Sequence, residues 1–275
     1  MPQLCCEISQ SLMNALREHE ARLGESMDHM VMRMLAQGLD IDDHATLFQV
    51  STSGALIEGV TDGAITVEAL ANHGDLGLGT FADLDGEMVI LDGQVFQIRG
   101  DGSVTIAAPD ELVPFAVATR FTPEDTLQLT DINSYEELLL HLNGRRNTDN
   151  QFFALRMDGT ADYLKVRVVE EIDNDQTLVE AAQKQVEFEL ENVEGQFVGF
   201  WSPAYASSVN ISGWHIHFLS ADRSAGGHLL ELDGAELKAQ FQHLADFHIA
   251  IPETASFLQA DLSADPSAAL EEAER

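Results

Sequence analysis

The chain is predicted to adopt an α+β fold, mostly antiparallel sheets in two packed halves with few helices, plus an N-terminal helical extension. Three observations predict it. Apolar residues recur at helical spacing mainly near the N-terminus, and elsewhere only in short stretches. From Leu47 onward, short runs rich in β-branched and aromatic residues dominate. Pairs such as Asp92-Gly93 and Asp101-Gly102 separate these runs, which is the chemistry of tight antiparallel turns.

Residues 1–40 form the extension. Within them, residues 7–39 read as one or two helices, with apolar positions at Ile8, Leu12 and Leu16 and again at Met30, Met34 and Leu35. Such a stripe serves packing or dimer contacts, so a homodimer is the assembly it would allow. Residues 41–275 form the main domain, a sheet-rich first half over about 41–185 and a metal-bearing second half over about 186–275. Residues 47–51 are strand-like, and Thr66 can cap a short helix that runs to Ala71 and ends at Asn72-His73-Gly74. Residues 74–81 read as a glycine-rich loop. The Lys-Ser/Thr of a phosphate-binding loop is missing, as is a surrounding βαβ unit, so the glycines are assigned to close backbone approach rather than to a nucleotide.

Residues 87–91, 94–98 and 103–106 then make an antiparallel meander. Further strands are predicted over 115–121 and 152–157, with a helix over 134–142 between them. Asp158-Gly159 is read as a turn into a strand over 163–169. A polar helix near 177–185 leads to a hairpin of 186–191 and 195–201, just before the histidine-bearing strands.

Composition narrows the function. The 275 residues carry 47 Asp plus Glu against 14 Lys plus Arg, a formal net charge of −33. A field of that sign repels nucleic acid and anionic membrane surfaces, so neither is expected as a partner. It also suits a salty medium in which counterions screen self-repulsion, and the melting temperature is then expected to rise with added salt. The first 30 residues hold several charges and no long apolar run, which reads as a cytoplasmic protein. Cys5 and Cys6 are adjacent, a spacing that suits neither a structural disulfide nor a metal site.

The chemistry concentrates in Gly213-Trp-His-Ile-His-Phe218 and in His228 beyond a Gly-Gly turn. Side chains alternate along a strand, so Trp214, Ile216 and Phe218 face a core while His215 and His217 face the other way, about 7 Å apart at the backbone. The returning antiparallel strand can bring His228 beside them. Two polar residues on a wet sheet face would look the same; the third imidazole at hairpin distance favours a zinc site with an open position.

Other charged residues are ambiguous from the pattern alone. Glu87 lies on a segment apolar on both faces, so it either frays out at a turn or is buried with a partner. Arg167 shares a face with Tyr163 and Lys165, where a solvated position is the default. His243 and His248 have no ligand-like spacing and are assigned structural roles.

Several blocks, taken together and in order, closely resemble the α-acetolactate decarboxylase family. They are Gly74-Asp-Leu-Gly-Leu-Gly-Thr-Phe81, Leu84-Asp-Gly-Glu-Met88, Phe115-Ala-Val117, Gly199-Phe-Trp-Ser-Pro-Ala-Tyr205, Gly213-Trp-His-Ile-His-Phe218 and Asp222-Arg-Ser-Ala-Gly-Gly-His228. The resemblance runs from about Leu47 to the C-terminus and leaves out the helical extension. It implies zinc-dependent decarboxylation of 2-acetolactate to (R)-acetoin and CO2, with Zn2+ held by His215, His217 and His228. It also implies two completing glutamates, Glu87 and one from the extreme C-terminus; spacing favours Glu274, with Glu271 and Glu272 close by. Arg167 falls where the family's substrate arginine stands, and Thr80 where its loop threonine stands. Trp214 departs from the family pattern, which has a smaller aromatic there. Other zinc lyases with three histidines, of the carbonic anhydrase type, share the H-x-H strand, as do cupin-like oxygenases, although the latter expect a glutamate where this chain has Ser220-Ala-Asp-Arg223. A non-catalytic, metal-stabilised binding module is the alternative from a different class.

Overall fold

The computed structural model describes residues 5–24, 26–38, 45–169, 185–266 and 268–270. The chain divides into two units, Met1–His44 and Ala45–Arg275. In the first, α1 (Gln10–Leu23) is capped by the Ser9 side chain accepting from the Leu12 amide, and Gly24 closes it in the left-handed conformation. Met30 of α2 (Met27–Gly38) is buried, whereas Leu12, Met32 and Leu35 stay exposed.

The second unit is built from two main sheets. The first holds β1 (Thr46–Val50), β3 (Leu76–Thr80), β4 (Glu87–Leu91), β5 (Gln94–Ile98), β6 (Val104–Ile106), β8 (Ala116–Thr119) and β15 (Asp246–Ala250), in the order β15-β1-β8-β3-β4-β5-β6. The second holds β9 (Asp125–Ile132), β10 (Phe152–Val168), β11 (Val186–Ser202), β12 (Gly213–Ser220), β13 (Gly226–Asp233) and β14 (Ala235–Leu244), in the order β11-β12-β13-β10-β14-β9. A small pair joins β2 (Ile65–Thr66) to β7 (Leu112–Val113). Among the described residues every pairing is antiparallel except β1 with β15. The sheets interleave along the chain, since β9 and β10 belong with the later strands and β15 returns to the first sheet.

Three apolar layers follow from strand alternation. Leu76, Leu78, Val89, Leu91, Phe96 and Ile98 meet Ala154, Val198, Phe200 and Leu219 between the sheets. On the other face of the first sheet, Met88 and Ile90 pack with Val67 and Leu70 of α4 (Val67–Ala71), which Thr66 caps as its sequence predicts. Against the second sheet, Ile216 and Phe218 pack with Leu138 and Leu142 of α5 (Tyr135–Arg145), capped by Ser134.

Two local expectations fail. Residues 74–81 are not a loop: Leu76–Thr80 is the buried strand β3. A Cβ on Gly79 would lie 2.4 Å from the Phe115 carbonyl oxygen, so its glycines let β8 approach, and what reads as loop chemistry is strand contact. Nor does Asp158-Gly159 turn the chain. Both β10 and β11 are unbroken 17-residue strands paired along nearly their whole length, so the expected turn and the expected hairpin of 186–201 are absent. A Cβ on Gly159 would sit 2.0 Å from the Glu236 carbonyl oxygen, which makes this glycine a close crossing of β10 by β14. Of the helix expected near 177–185, residues 177–184 lie outside the described residues; Gln185 leads directly into β11.

Candidate metal centre

Antiparallel register creates the site. His217 on β12 stands directly opposite His228 on β13, and His228 stands opposite Arg167 on β10. Residues directly opposite in antiparallel strands project from the same face, so three adjoining strands deliver two imidazoles and a guanidinium to one place. His215, two residues before His217, joins them. The ring centroids are 4.8, 4.9 and 5.5 Å apart, and one nitrogen of each ring lies within 4.8 Å of the others.

This face is not wet. His217 is 1% exposed, His228 5% and His215 9%, because the first sheet covers them. Arg167 is 4% exposed, which overturns the solvated position that its strand neighbours suggest. The reason is position along the strand: β11 and β13 flank all three residues, but Arg167 stands at the end where β13 contributes His228, under the first sheet.

Glu87 resolves to the buried alternative. It opens β4, opposite Thr80 and Ile98, and is 7% exposed, with its Oε2 3.5 Å from His217 Nε2. The preceding turn, with Asp83 and Leu84 at positive φ, is pinned from three sides. Thr80 Oγ1 donates to the Gly86 carbonyl at 2.8 Å, Gln97 Nε2 donates to the Asp85 carbonyl at 2.7 Å, and Arg99 Nε donates to the Asp85 carboxylate at 2.9 Å.

Hydrogen bonding sets the imidazole chemistry. His217 Nδ1 lies 2.9 Å from the Met88 carbonyl oxygen, which can only accept, so Nδ1 carries a proton and Nε2 is the nitrogen left facing the cluster. His215 Nε2 lies 3.0 Å from that Nε2. Burial, with the nearby Arg167 charge adding to it, pushes the His215 imidazole down to about 3, so the ring is neutral at physiological pH. Converging imidazole nitrogens beside a buried glutamate are the donor set that a borderline divalent ion such as zinc accepts, and a backbone acceptor behind one of them is the usual outer support.

Of the predicted site residues, the structure brings together His215, His217, His228, Glu87 and Arg167, with Thr80 beside Glu87 on the next strand. Glu274, Glu271 and Glu272 lie outside the described residues. The chain leading to them is nonetheless anchored, since Leu270 is buried in the layer between the sheets. Sequence reasoning missed the Met88 carbonyl, the Asp85–Arg99 pair and Gln185, which accepts from Arg167 Nη1 at 2.7 Å. Backbone acceptors leave no trace in side-chain identity, and Gln185 stands outside any strand.

Fold and site together define a sheet-built enzyme with a buried three-histidine centre suited to a catalytic metal ion. The chain belongs to the alpha-acetolactate decarboxylase family, whose model matches residues 47–264. It is 39% identical over 234 residues to the alpha-acetolactate decarboxylase of Methylococcus capsulatus, spanning 85% of this chain and 90% of that one. It is 38% identical over 239 residues to that of Methanosarcina mazei, spanning 86% and 83%. The crystal structure of alpha-acetolactate decarboxylase from Bacillus subtilis strain 168 superposes with a TM-score of 0.80 at 33% identity, covering 83% of this chain and 98% of that chain. Among the described residues no helix is long and apolar enough to cross a membrane.

Proposed function

We propose that this protein converts 2-acetolactate to (R)-acetoin and CO2, with zinc held by His215, His217 and His228 and joined by Glu87 and Glu274. The convergence of three imidazoles with Glu87 and Arg167 in a chain of this family carries the reading. When bound, zinc supplies a Lewis acid that stabilises negative charge developing on the substrate's ketone oxygen, worth several kcal/mol.

The remaining work falls to side chains. Arg167 binds the substrate carboxylate through its planar, permanently charged fork, offsetting the repulsion between an anionic substrate and a chain of net charge −33. As CO2 leaves, its bonding electrons pass into the adjacent ketone, and a proton must reach the carbon from one face. Glu87 and Glu274 are the candidate donors of that proton. Thr80 commits its hydroxyl hydrogen to the Gly86 carbonyl, so its oxygen lone pairs can accept from the substrate hydroxyl. The Met88 carbonyl orients His217: its bond to Nδ1 would keep Nε2 directed at a bound metal.

The test is an acetoin assay on purified protein before and after dialysis against a chelator. Activity is expected to vanish on metal removal and to return with zinc. An enzyme that stays active while analytically free of metal would overturn the zinc role, and a metal-replete protein that makes no acetoin would overturn the reaction.

A further inference from the structure

We infer that Gln185 is a positioning residue that orients Arg167 while keeping a nearby carboxylate off it, and so sets the enzyme's affinity for the carboxylate of its substrate. The inference rests on the reading of Arg167 as the substrate's anion clamp.

The argument starts from what strand register supplies. Directly across β11 from Arg167 stands Glu187. Left to itself, a cross-strand carboxylate would take the guanidinium in a fork and oppose its use by a second carboxylate. The structure diverts it. Glu187 Oε2 lies 2.7 Å from Lys165 Nζ, and its Oε1 lies 3.4 Å from Gln185 Nε2. The Lys165 ammonium holds the Glu187 carboxyl below the usual carboxylate range, so it stays charged and engaged. Gln185 Oε1 in turn accepts from Arg167 Nη1 at 2.7 Å.

A guanidinium can only donate and a carboxylate can only accept, so whatever stands between them must accept on one side and donate on the other. A primary amide does this without charge, and the two neighbours fix which way round it lies. Glutamate at this position would face Glu187 with like charge and Arg167 with opposite charge. A methylene chain would leave Arg167 without this acceptor. Gln185 thus aligns the fork from one side with a neutral group.

The experiment uses the metal-loaded, full-length enzyme and two variants, Gln185→Glu and Gln185→Met, which keep the side-chain length. Affinity is measured by calorimetry for α-hydroxyisobutyrate, which carries the substrate's carboxylate and tertiary hydroxyl, and for its neutral amide. Acetoin kinetics run in parallel. Gln185→Glu is expected to weaken carboxylate binding and raise KM by about tenfold or more, since the added charge lies within contact distance of the guanidinium. Changes in kcat and in amide binding are expected to be smaller. Gln185→Met should shift the same quantities in the same direction by less, with unchanged melting temperature.

Equal loss of carboxylate and amide binding would assign Gln185 to scaffolding and overturn the inference. Wild-type carboxylate affinity in both variants would overturn it too, and if Arg167→Lys still lost that affinity, the reading of Arg167 would stand. If Arg167→Lys also bound and turned over like wild type, that reading would itself fail.

Discussion

On β12, Ile216 and Phe218 pack into the apolar layer beneath α5, whereas His215 and His217 face the layer shared with the first sheet. Both faces are dry. Burying a large aliphatic or aromatic side chain stabilises the fold by about 1.5–3 kcal/mol, while burying a polar group costs free energy unless a partner replaces water. The Met88 carbonyl compensates one nitrogen of His217, and a bound cation would compensate the converging ones. One strand thus supplies apolar packing from one side and converging imidazoles from the other. The difference teaches that burial alone identifies neither a core nor a site: what the buried groups are partnered with does.

The sharpest way to break that comparison is to alter adjacent residues on opposite faces. His217→Ala is expected to reduce acetoin formation to background, beyond the ~10–100-fold that losing an outer-shell partner costs, with a modest loss of stability. Ile216→Ala should do the reverse, destabilising by about 2–5 kcal/mol with kcat per folded molecule kept. Denaturant titration and acetoin kinetics on both variants decide it, and similar profiles for the two would mean that the faces are not functionally distinct.

The C-terminal tail sharpens the comparison next. Leu270 belongs to the layer between the sheets, and residues 271–275 follow it directly. Truncation after Leu270 keeps the apolar anchor and removes the candidate acid Glu274. Terminal residues are ordinarily dispensable, yet turnover is expected to fall by about a hundredfold or more, the scale of a lost general acid, with little change in melting temperature. Full activity in that truncation would remove Glu274 from the mechanism.

How far the sequence could be read follows the same physical divide. Strand alternation alone puts His215 and His217 on one face and Ile216 on the other, and hairpin return brings His228 to them, because period two leaves no other arrangement. Alternation is silent on what lies above a face, so the burial of Arg167 and the partner of Glu87 emerge only when the first sheet closes over the second. Gly79 and Gly159 mislead for a common reason. Glycine permits a turn and permits close strand approach equally well, and only the neighbouring strand distinguishes them. The interleaving of the sheets, with β15 returning to β1, depends on long-range pairing that no local pattern encodes.

The smallest expected effect concerns the turn that keeps His217 opposite His228. Ser220 Oγ donates to Asp222 Oδ1 at 2.8 Å, and the Ser224 hydroxyl and amide donate to the same oxygen at 2.7 and 3.1 Å. The Ser224 hydroxyl first, then that of Ser220, hold the Asp222 carboxyl below its ordinary range. A group whose folded pKa is depressed adds stability above its unfolded value, near 3.9, and that stability fades as pH falls through the lower folded value. Asp222 is exposed, so water screens much of the effect. Asp222→Ala should therefore melt slightly below wild type at neutral pH, and the two melting curves should converge on acidification below about pH 4. The apolar face of β12 contains no titrating group, so Ile216→Ala should keep its deficit across the same range. A gap for Asp222→Ala that persists undiminished at the acid end would mean that the turn is held by its backbone conformation rather than by the carboxylate.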